Sequence, residues 1–123
     1  MKQTFFKSVK HALEGIINTI GHERNMRIHI VIMFLVIIAG CIFQITIHHW
    51  IVCILLFALI LSLELVNTAI EAIVDLCIQD IHPLAKKAKD AAAGAVLISA
   101  ICSAIIGCII FIPYLFSYIK FFF

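Results

Sequence analysis

The stretch from Trp50 to Ile78 reads WIVCILLFALILSLELVNTAIEAIVDLCI, and it decides the fold. It is long enough to cross a hydrocarbon core of roughly 30 Å, which needs about 20 helical residues. Three acids, Glu64, Glu71 and Asp75, nevertheless lie within it. A carboxylate at the bilayer centre costs about 2.5–3.5 kcal/mol on insertion scales, so acids are rare in spanning helices. The stretch therefore predicts a membrane helix whose acids need a separate explanation.

Two further stretches are long and apolar enough to span a bilayer. Residues 28–47 and 95–119 contain no Asp, Glu, Lys or Arg. Across all 123 residues, 64% are hydrophobic and 13% are charged, and the mean hydropathy is +1.18. This composition leaves too little polar surface for a domain that faces water. The sequence predicts an all-α membrane protein with spans at 28–47, 50–78 and 95–119.

Residues 1–21 have the pattern of an amphipathic helix that lies in the membrane surface. Apolar residues recur there at steps of three and four, with lysines and other polar residues on the opposite face. The apolar positions are Phe5, Val9, Ala12, Leu13, Ile16, Ile17 and Ile20. The segment is too polar to span, so we expect one domain over 1–123, made of a surface helix and three transmembrane helices.

The basic residues predict how the chain is oriented. Five of them precede the first span, and three lie between the second and third spans. The turn between the first two spans has none, and Lys120 alone follows the third. Because Lys and Arg are enriched in cytoplasmic loops, we expect the N-terminus and the 79–90 loop in the cytoplasm and the C-terminus on the far side.

The polar residues of the middle span share one side of a helix. At about 100° per residue, Glu64, Asn67, Thr68, Glu71 and Asp75 fall within a stripe roughly 100° wide. With a rise of about 1.5 Å per residue, Glu64 lies about 10 Å deeper in the membrane than Glu71. The acids either join helices as protonated or paired groups, or they form a functional cluster. Their number favours the functional interpretation.

The polar segments on the cytoplasmic side carry the groups that phosphate chemistry needs. Residues 22–27 fit an interfacial anchor whose arginines meet lipid phosphates, but Glu23 gains nothing from phosphates. Glu23 and Glu71 lie near the same interface, and Mg²⁺ is typically held by one or two carboxylates together with substrate phosphates. Lys89 and its neighbours add cations. This set suggests a nucleotide on the water side and a lipid hydroxyl near Glu64, although no GxxxxGK[ST] or GxGxxG loop is present.

Three ordered blocks resemble the small prokaryotic diacylglycerol kinase family of membrane enzymes. The likeness covers essentially the whole chain. The blocks are His22-Glu23-Arg24-Asn25, the run from Glu64 to Asp75 (ELVNTAIEAIVD), and His82-Pro83-Leu84-Ala85-Lys86 with the Ala88–Val96 run (AKDAAAGAV) that follows it.

The resemblance implies a fold, a set of roles and an assembly. It implies a bacterial cytoplasmic membrane protein that forms a homotrimer, with active sites between neighbouring subunits. Glu64 would be the general base, and Asn67 would help to position the lipid hydroxyl. Glu23 and Glu71 would hold Mg²⁺ on ATP. The residues implied to contact the nucleotide are Glu23, Glu71, Asp80, Ile81, His82, Lys89, Asp90 and His11, the last at a position where some members have a tyrosine near the adenine.

Several functions remain open from the sequence. The HPLAK and AAAGAV blocks look closer to the branch that phosphorylates undecaprenol than to the branch that acts on diacylglycerol. A transporter that relays protons or cations through intramembrane acids is a different class, and it would not need Glu23, Lys89 and Asp90 at the cytoplasmic mouth. A non-catalytic packing module is a third. No nucleic-acid partner is expected.

Overall fold

A computed structural model describes residues 4–123, and its regular structure over that range is entirely helical. The four helices are α1 (Phe5–His22), α2 (Arg24–Phe43), α3 (Ile47–Cys77) and α4 (Pro83–Phe122). By length and composition, α2, α3 and α4 can each cross a membrane. The predicted all-α architecture, with an N-terminal helix and three spans, is confirmed. Residues 1–3 of the predicted surface helix lie outside the described range.

A single residue separates α1 from α2. The chain leaves the helical conformation at Glu23 (φ −102°, ψ 115°), and α2 begins at Arg24, earlier than the predicted start at Ile28. The prediction was late because the polar residues Arg24–Arg27 were assigned to a connection, whereas they form the first turn of α2. Polarity marks where a helix leaves the lipid, and it does not mark where the helix begins.

The connection between α2 and α3 comes earlier than predicted. Helix α2 ends at Phe43, Gln44 adopts a left-handed conformation (φ 50°), and the Thr46 hydroxyl accepts a hydrogen bond from the His49 amide. Ile47 therefore begins α3, and its predicted place at the end of the first span is wrong. Hydropathy could not find this turn because Ile45 and Ile47 keep the segment apolar through it, with Ile45 itself only 6% exposed.

The connection between α3 and α4 is short. Helix α3 ends at Cys77, and the His82 ring nitrogen accepts a hydrogen bond from the Leu84 amide at 3.1 Å. Pro83 is the first residue of α4, a position where its missing N–H costs nothing. Helix α4 then continues to Phe122, so the predicted span at 95–119 lies inside a longer helix.

Helices α3 and α4 form the main packing interface. Helix α2 packs on α3 and to a smaller extent on α4, and α1 contacts α2 and α3. Within residues 4–123, α1 and α4 make no contact. Large apolar side chains on the outer faces of the spans are exposed, as expected for surfaces that face lipid. The few buried polar residues are therefore informative about the site.

Candidate active site

Two polar side chains of α3 are buried near the middle of the helix. Glu64 is 1% exposed and Asn67 is 6% exposed. The one-turn spacing of these residues puts them on the same face of α3, which is turned toward the packed helices. A buried charge or amide costs free energy unless it is hydrogen-bonded, so such groups usually have partners.

The hydrogen bonds on this face leave two buried acceptor atoms unused. The Asn67 amide nitrogen donates to Glu71 Oε1 at 3.2 Å. The Thr68 hydroxyl donates to the Glu64 backbone carbonyl at 3.0 Å, so it is occupied within its own helix. Among the described residues, Glu64 Oε2 and Asn67 Oδ1 have no hydrogen-bond partner. The face thus presents two neighbouring acceptors that suit a hydroxyl donor.

Other helices bring further ionisable groups to Glu64. The carboxylates of Glu23 and Glu71 lie near enough for their charges to repel that of Glu64. His29 of α2 approaches from another side, with its Nε2 atom 3.9 Å from Glu64 Oε2. The break between α1 and α2 at Glu23 is what places that carboxylate here. The structure therefore joins three of the predicted site residues and adds His29, which the sequence did not assign.

Glu23 and Glu71 are suitable ligands for Mg²⁺. Both are half-buried carboxylates beside Glu64. Within residues 4–123, no three His, Cys, Asp or Glu side chains converge closely enough to enclose a metal ion by themselves. A site with few protein ligands is what Mg²⁺ commonly uses when substrate phosphates complete its coordination.

A second group of predicted residues lines a cavity of about 340 Å³ where α3 ends and α4 begins. All five nucleotide residues predicted between positions 80 and 90 line it. They are Asp80, Ile81, His82, Lys89 and Asp90. Two ion pairs lie on the wall of the cavity. Lys89 of α4 pairs with Asp75 of α3, and Lys86 pairs with Asp90 within α4.

The pairing of Asp75 was missed by the sequence analysis, which gave this residue no role. Asp75 lies one turn from Glu71 on α3, and its partner Lys89 is 14 positions along the chain. The sequence did offer a signal for this pair. Asp75 lies just before the short connection between α3 and α4, and Lys89 lies soon after it.

The structure does not bring His11 to this cavity. His11 is exposed on α1, where its Nδ1 atom lies 3.4 Å from Glu14 Oε2. Because α1 and α4 do not touch within residues 4–123, a single chain does not join His11 to Lys89.

An apolar cavity of about 260 Å³ lies between α2, α3 and α4. His29 lines it, and its α3 wall extends from Leu61 to Cys53, about 12 Å along the helix axis. Ser103 is the other polar residue besides His29, and its hydroxyl oxygen has no partner among the described residues. Small residues of α4 complete the wall and include Ala100, Ala104 and Gly107. The cavity is long, apolar and adjacent to the buried acceptors.

Comparison with known sequences identifies the family. The profile of the family described as prokaryotic diacylglycerol kinase matches residues 10–111. The chain belongs to this family. The family indicated by the three sequence blocks is thereby confirmed. The protein is an ATP-dependent lipid kinase of the membrane.

The relatives of this chain are named for two different lipid substrates, undecaprenol and diacylglycerol. The chain is 50% identical over 109 residues to an undecaprenol kinase of Bacillus subtilis, with 89% of each chain covered. It is 40% identical over 111 residues to a diacylglycerol kinase of Synechocystis, covering 89% of this chain and 63% of that one. A diacylglycerol kinase of Helicobacter pylori is 35% identical over 102 residues, with 82% and 79% covered.

Proposed function

We propose that this kinase transfers the γ-phosphoryl group of ATP to the hydroxyl of undecaprenol. The observation that supports a lipid alcohol is the pair of buried acceptors, Glu64 Oε2 and Asn67 Oδ1, in a membrane-spanning helix. The identity of 50% with an undecaprenol kinase favours undecaprenol over diacylglycerol as the acceptor. Diacylglycerol is the second candidate, because the Synechocystis and Helicobacter relatives carry that name.

Glu64 is the general base in this proposal. The lipid hydroxyl donates its hydrogen bond to Glu64 Oε2, and Asn67 Oδ1 lies nearby to fix the orientation of the alcohol. As the lipid oxygen bonds to the γ-phosphorus, its proton passes to the Glu64 carboxylate. The bond from the γ-phosphorus to the β,γ-bridging oxygen breaks, and ADP leaves. Phosphoryl transfer needs positioning and charge stabilisation more than covalent work by the protein.

The nucleotide occupies the cytoplasmic side. We assign Asp80, Ile81, His82, Lys89 and Asp90 to nucleotide binding because they line one cavity. Glu23 and Glu71 would hold Mg²⁺, which supplies positive charge to the ATP phosphates when it is bound. The Asn67 amide donates to Glu71, so it also orients that carboxylate.

The apolar cavity is the proposed place for the part of the lipid chain next to the hydroxyl, because at about 260 Å³ it is too small for a whole undecaprenyl chain. It begins beside His29, which is 3.9 Å from Glu64, and continues along α3 and α4. A chain lying there would leave its alcohol end near Glu64. Because the lining is almost wholly apolar, a hydrocarbon is the chemically matched occupant.

Assembly as a homotrimer with shared sites is also part of the proposal. The separation of α1 from α4 supports it, since His11 needs a neighbouring subunit to reach a nucleotide held by Lys89. Orientation follows the basic residues, with the N-terminus and the 79–90 loop in the cytoplasm, where ATP is present, and the C-terminus on the far side.

The test is a competition assay with purified protein in lipid, ATP and Mg²⁺. We expect phosphorylated undecaprenol to form in preference to phosphatidic acid, whereas absence of both products would refute the kinase assignment. Glu64→Gln should abolish turnover because an amide cannot accept the hydroxyl proton. The variant should still fold and assemble, as checked by gel filtration, and near-normal turnover in it would remove Glu64 from the role of base.

A further inference from the structure

Asp75 and Lys89 form an ion pair that joins α3 to α4. The side chain of Lys89 is 39% exposed, against 76% for Lys86 in the neighbouring pair with Asp90. The two pairs differ in kind. Lys86 and Asp90 are four residues apart on one helix, whereas Asp75 fixes Lys89 from a different helix. Lys89 is thus the more restricted of the two ammonium groups beside the cavity.

The pair lies on the wall of the cavity assigned to the nucleotide. Both residues line it, together with Asp80, His82 and Asp90. Lysine has a flexible four-carbon stem and acts on phosphate as a point charge, so its useful position has to be imposed from outside. A carboxylate on the opposite helix imposes such a position.

We propose that Asp75 is the positioning residue of Lys89, holding its ammonium group where the phosphates of ATP are bound during transfer. The inference rests on the proposed function, because it takes Lys89 to be a phosphate ligand. In this proposal Asp75 acts through Lys89 and not directly on a substrate. Its carboxylate accepts one hydrogen bond from the ammonium and leaves the other two N–H donors for phosphate oxygens.

A purely structural pair would behave differently. Exposed ion pairs contribute little to stability, and Asp75 is 65% exposed. Asp75 also adds a negative charge to a cavity that must admit an anion. Its removal should therefore leave ATP binding unchanged or slightly stronger. The removal of Asp75 should instead lower kcat, because a misplaced ammonium group slows phosphoryl transfer without weakening the binding of ATP in the ground state.

The experiment compares Asp75→Asn and Asp75→Glu with the wild-type protein, measuring kcat and KM for ATP at saturating lipid alcohol. We expect kcat to fall by about tenfold to a hundredfold in Asp75→Asn, because a displacement of about 1 Å can cost up to about 10²-fold in rate, with KM for ATP unchanged or lower. Asp75→Glu keeps the charge and should recover most of kcat. Thermal stability and oligomer size should match those of the wild type in both variants.

Lys87→Gln is the control for a change of charge alone. Lys87 lies at the same end of α4, does not line the cavity and has no ion pair among the described residues. We expect a higher KM for ATP and an unchanged kcat, since only the attraction of the anion is reduced.

Two results would overturn the inference. One is a wild-type kcat in Asp75→Asn. The other is a loss of kcat that parallels a loss of thermal stability or assembly, including complete failure to fold, since that would make the pair a structural link. Failure of the proposed function is distinguishable, because it would appear as full activity in Glu64→Gln or Lys89→Gln, whatever the Asp75 variants do.

Discussion

The indole ring of Trp50 lies against the backbone of Gly40, where α3 returns along α2. A Cβ atom at position 40 would lie 2.6 Å from Trp50 Cη2 and 3.1 Å from Ile45 Cδ1. Those distances are too short for carbon atoms, so the close approach requires glycine. The contact lies near the turn between α2 and α3, at the opposite end of these helices from the site.

Gly40→Ala should therefore destabilise the protein by about 1–3 kcal/mol, the usual cost of overpacking. The measurement is the temperature at which the detergent-solubilised protein loses its gel-filtration peak. Gly107→Ala is the matched control, because a Cβ there meets nothing within 4 Å and alanine favours the helix. Equal losses in the two variants would show that the Trp50 contact is not the cause.

At the scale of the helices, Arg27 connects α1 to α2. Its Nη1 atom donates to the backbone carbonyls of Ile20 and Gly21, at 3.2 Å and 2.9 Å. These carbonyls belong to the last turn of α1, where no intrahelical donor is available and a cation interacts favourably with the helix dipole. Arg27 thus ties the end of α1 to the first turn of α2 across the bend at Glu23.

Arg27→Gln should loosen α1 and lower activity through Glu23. We expect faster hydrogen exchange in the amides of residues 5–22, with α3 unchanged, because one anchoring side chain is lost and the spans still pack. Arg24→Gln is the control, since Arg24 has the same charge, lies one turn away and makes no side-chain hydrogen bond within residues 4–123. Equal exchange in both variants would contradict the role of Arg27.

At the scale of the whole molecule, the separation of α1 from α4 requires an explanation. His11 and the cavity beside Lys89 belong to elements that do not touch in the described chain. The family resemblance assigns both to one nucleotide, and in the homotrimer proposed above the second element would come from another copy of the chain.

Disulfide cross-linking tests this arrangement. In a chain whose five cysteines are replaced by alanine, His11→Cys together with Ile81→Cys should give covalent dimers and trimers on oxidation. Ile81 is suitable because it is fully exposed on the cavity wall. Leu13→Cys with Ile81→Cys is the control, as Leu13 is on the apolar face of α1. Cross-linked monomers alone would indicate a site within one subunit.

Much of this protein was determined by the sequence itself. Hydropathy located the spans, because a helix that crosses lipid needs apolar side chains over about 20 residues. Helical periodicity placed Glu64, Asn67 and Glu71 on one face of α3, and the ordered blocks gave the family. The ends of α2 were predicted poorly, because Arg24, Asn25 and Arg27 are polar within a helix and Ile45 is apolar within a turn.

Only the tertiary structure decided which groups meet. His29 reaches Glu64 because α2 packs on α3, and the bend between α1 and α2 lies at Glu23. Asp75 pairs with Lys89 because the connection from Ile78 to His82 returns α4 against α3. Neither contact has a periodicity that a sequence can display, since each depends on the relative placement of two helices. The acids of α3 were visible from the start, whereas their division into a buried acceptor, a metal ligand and a partner for lysine follows from packing.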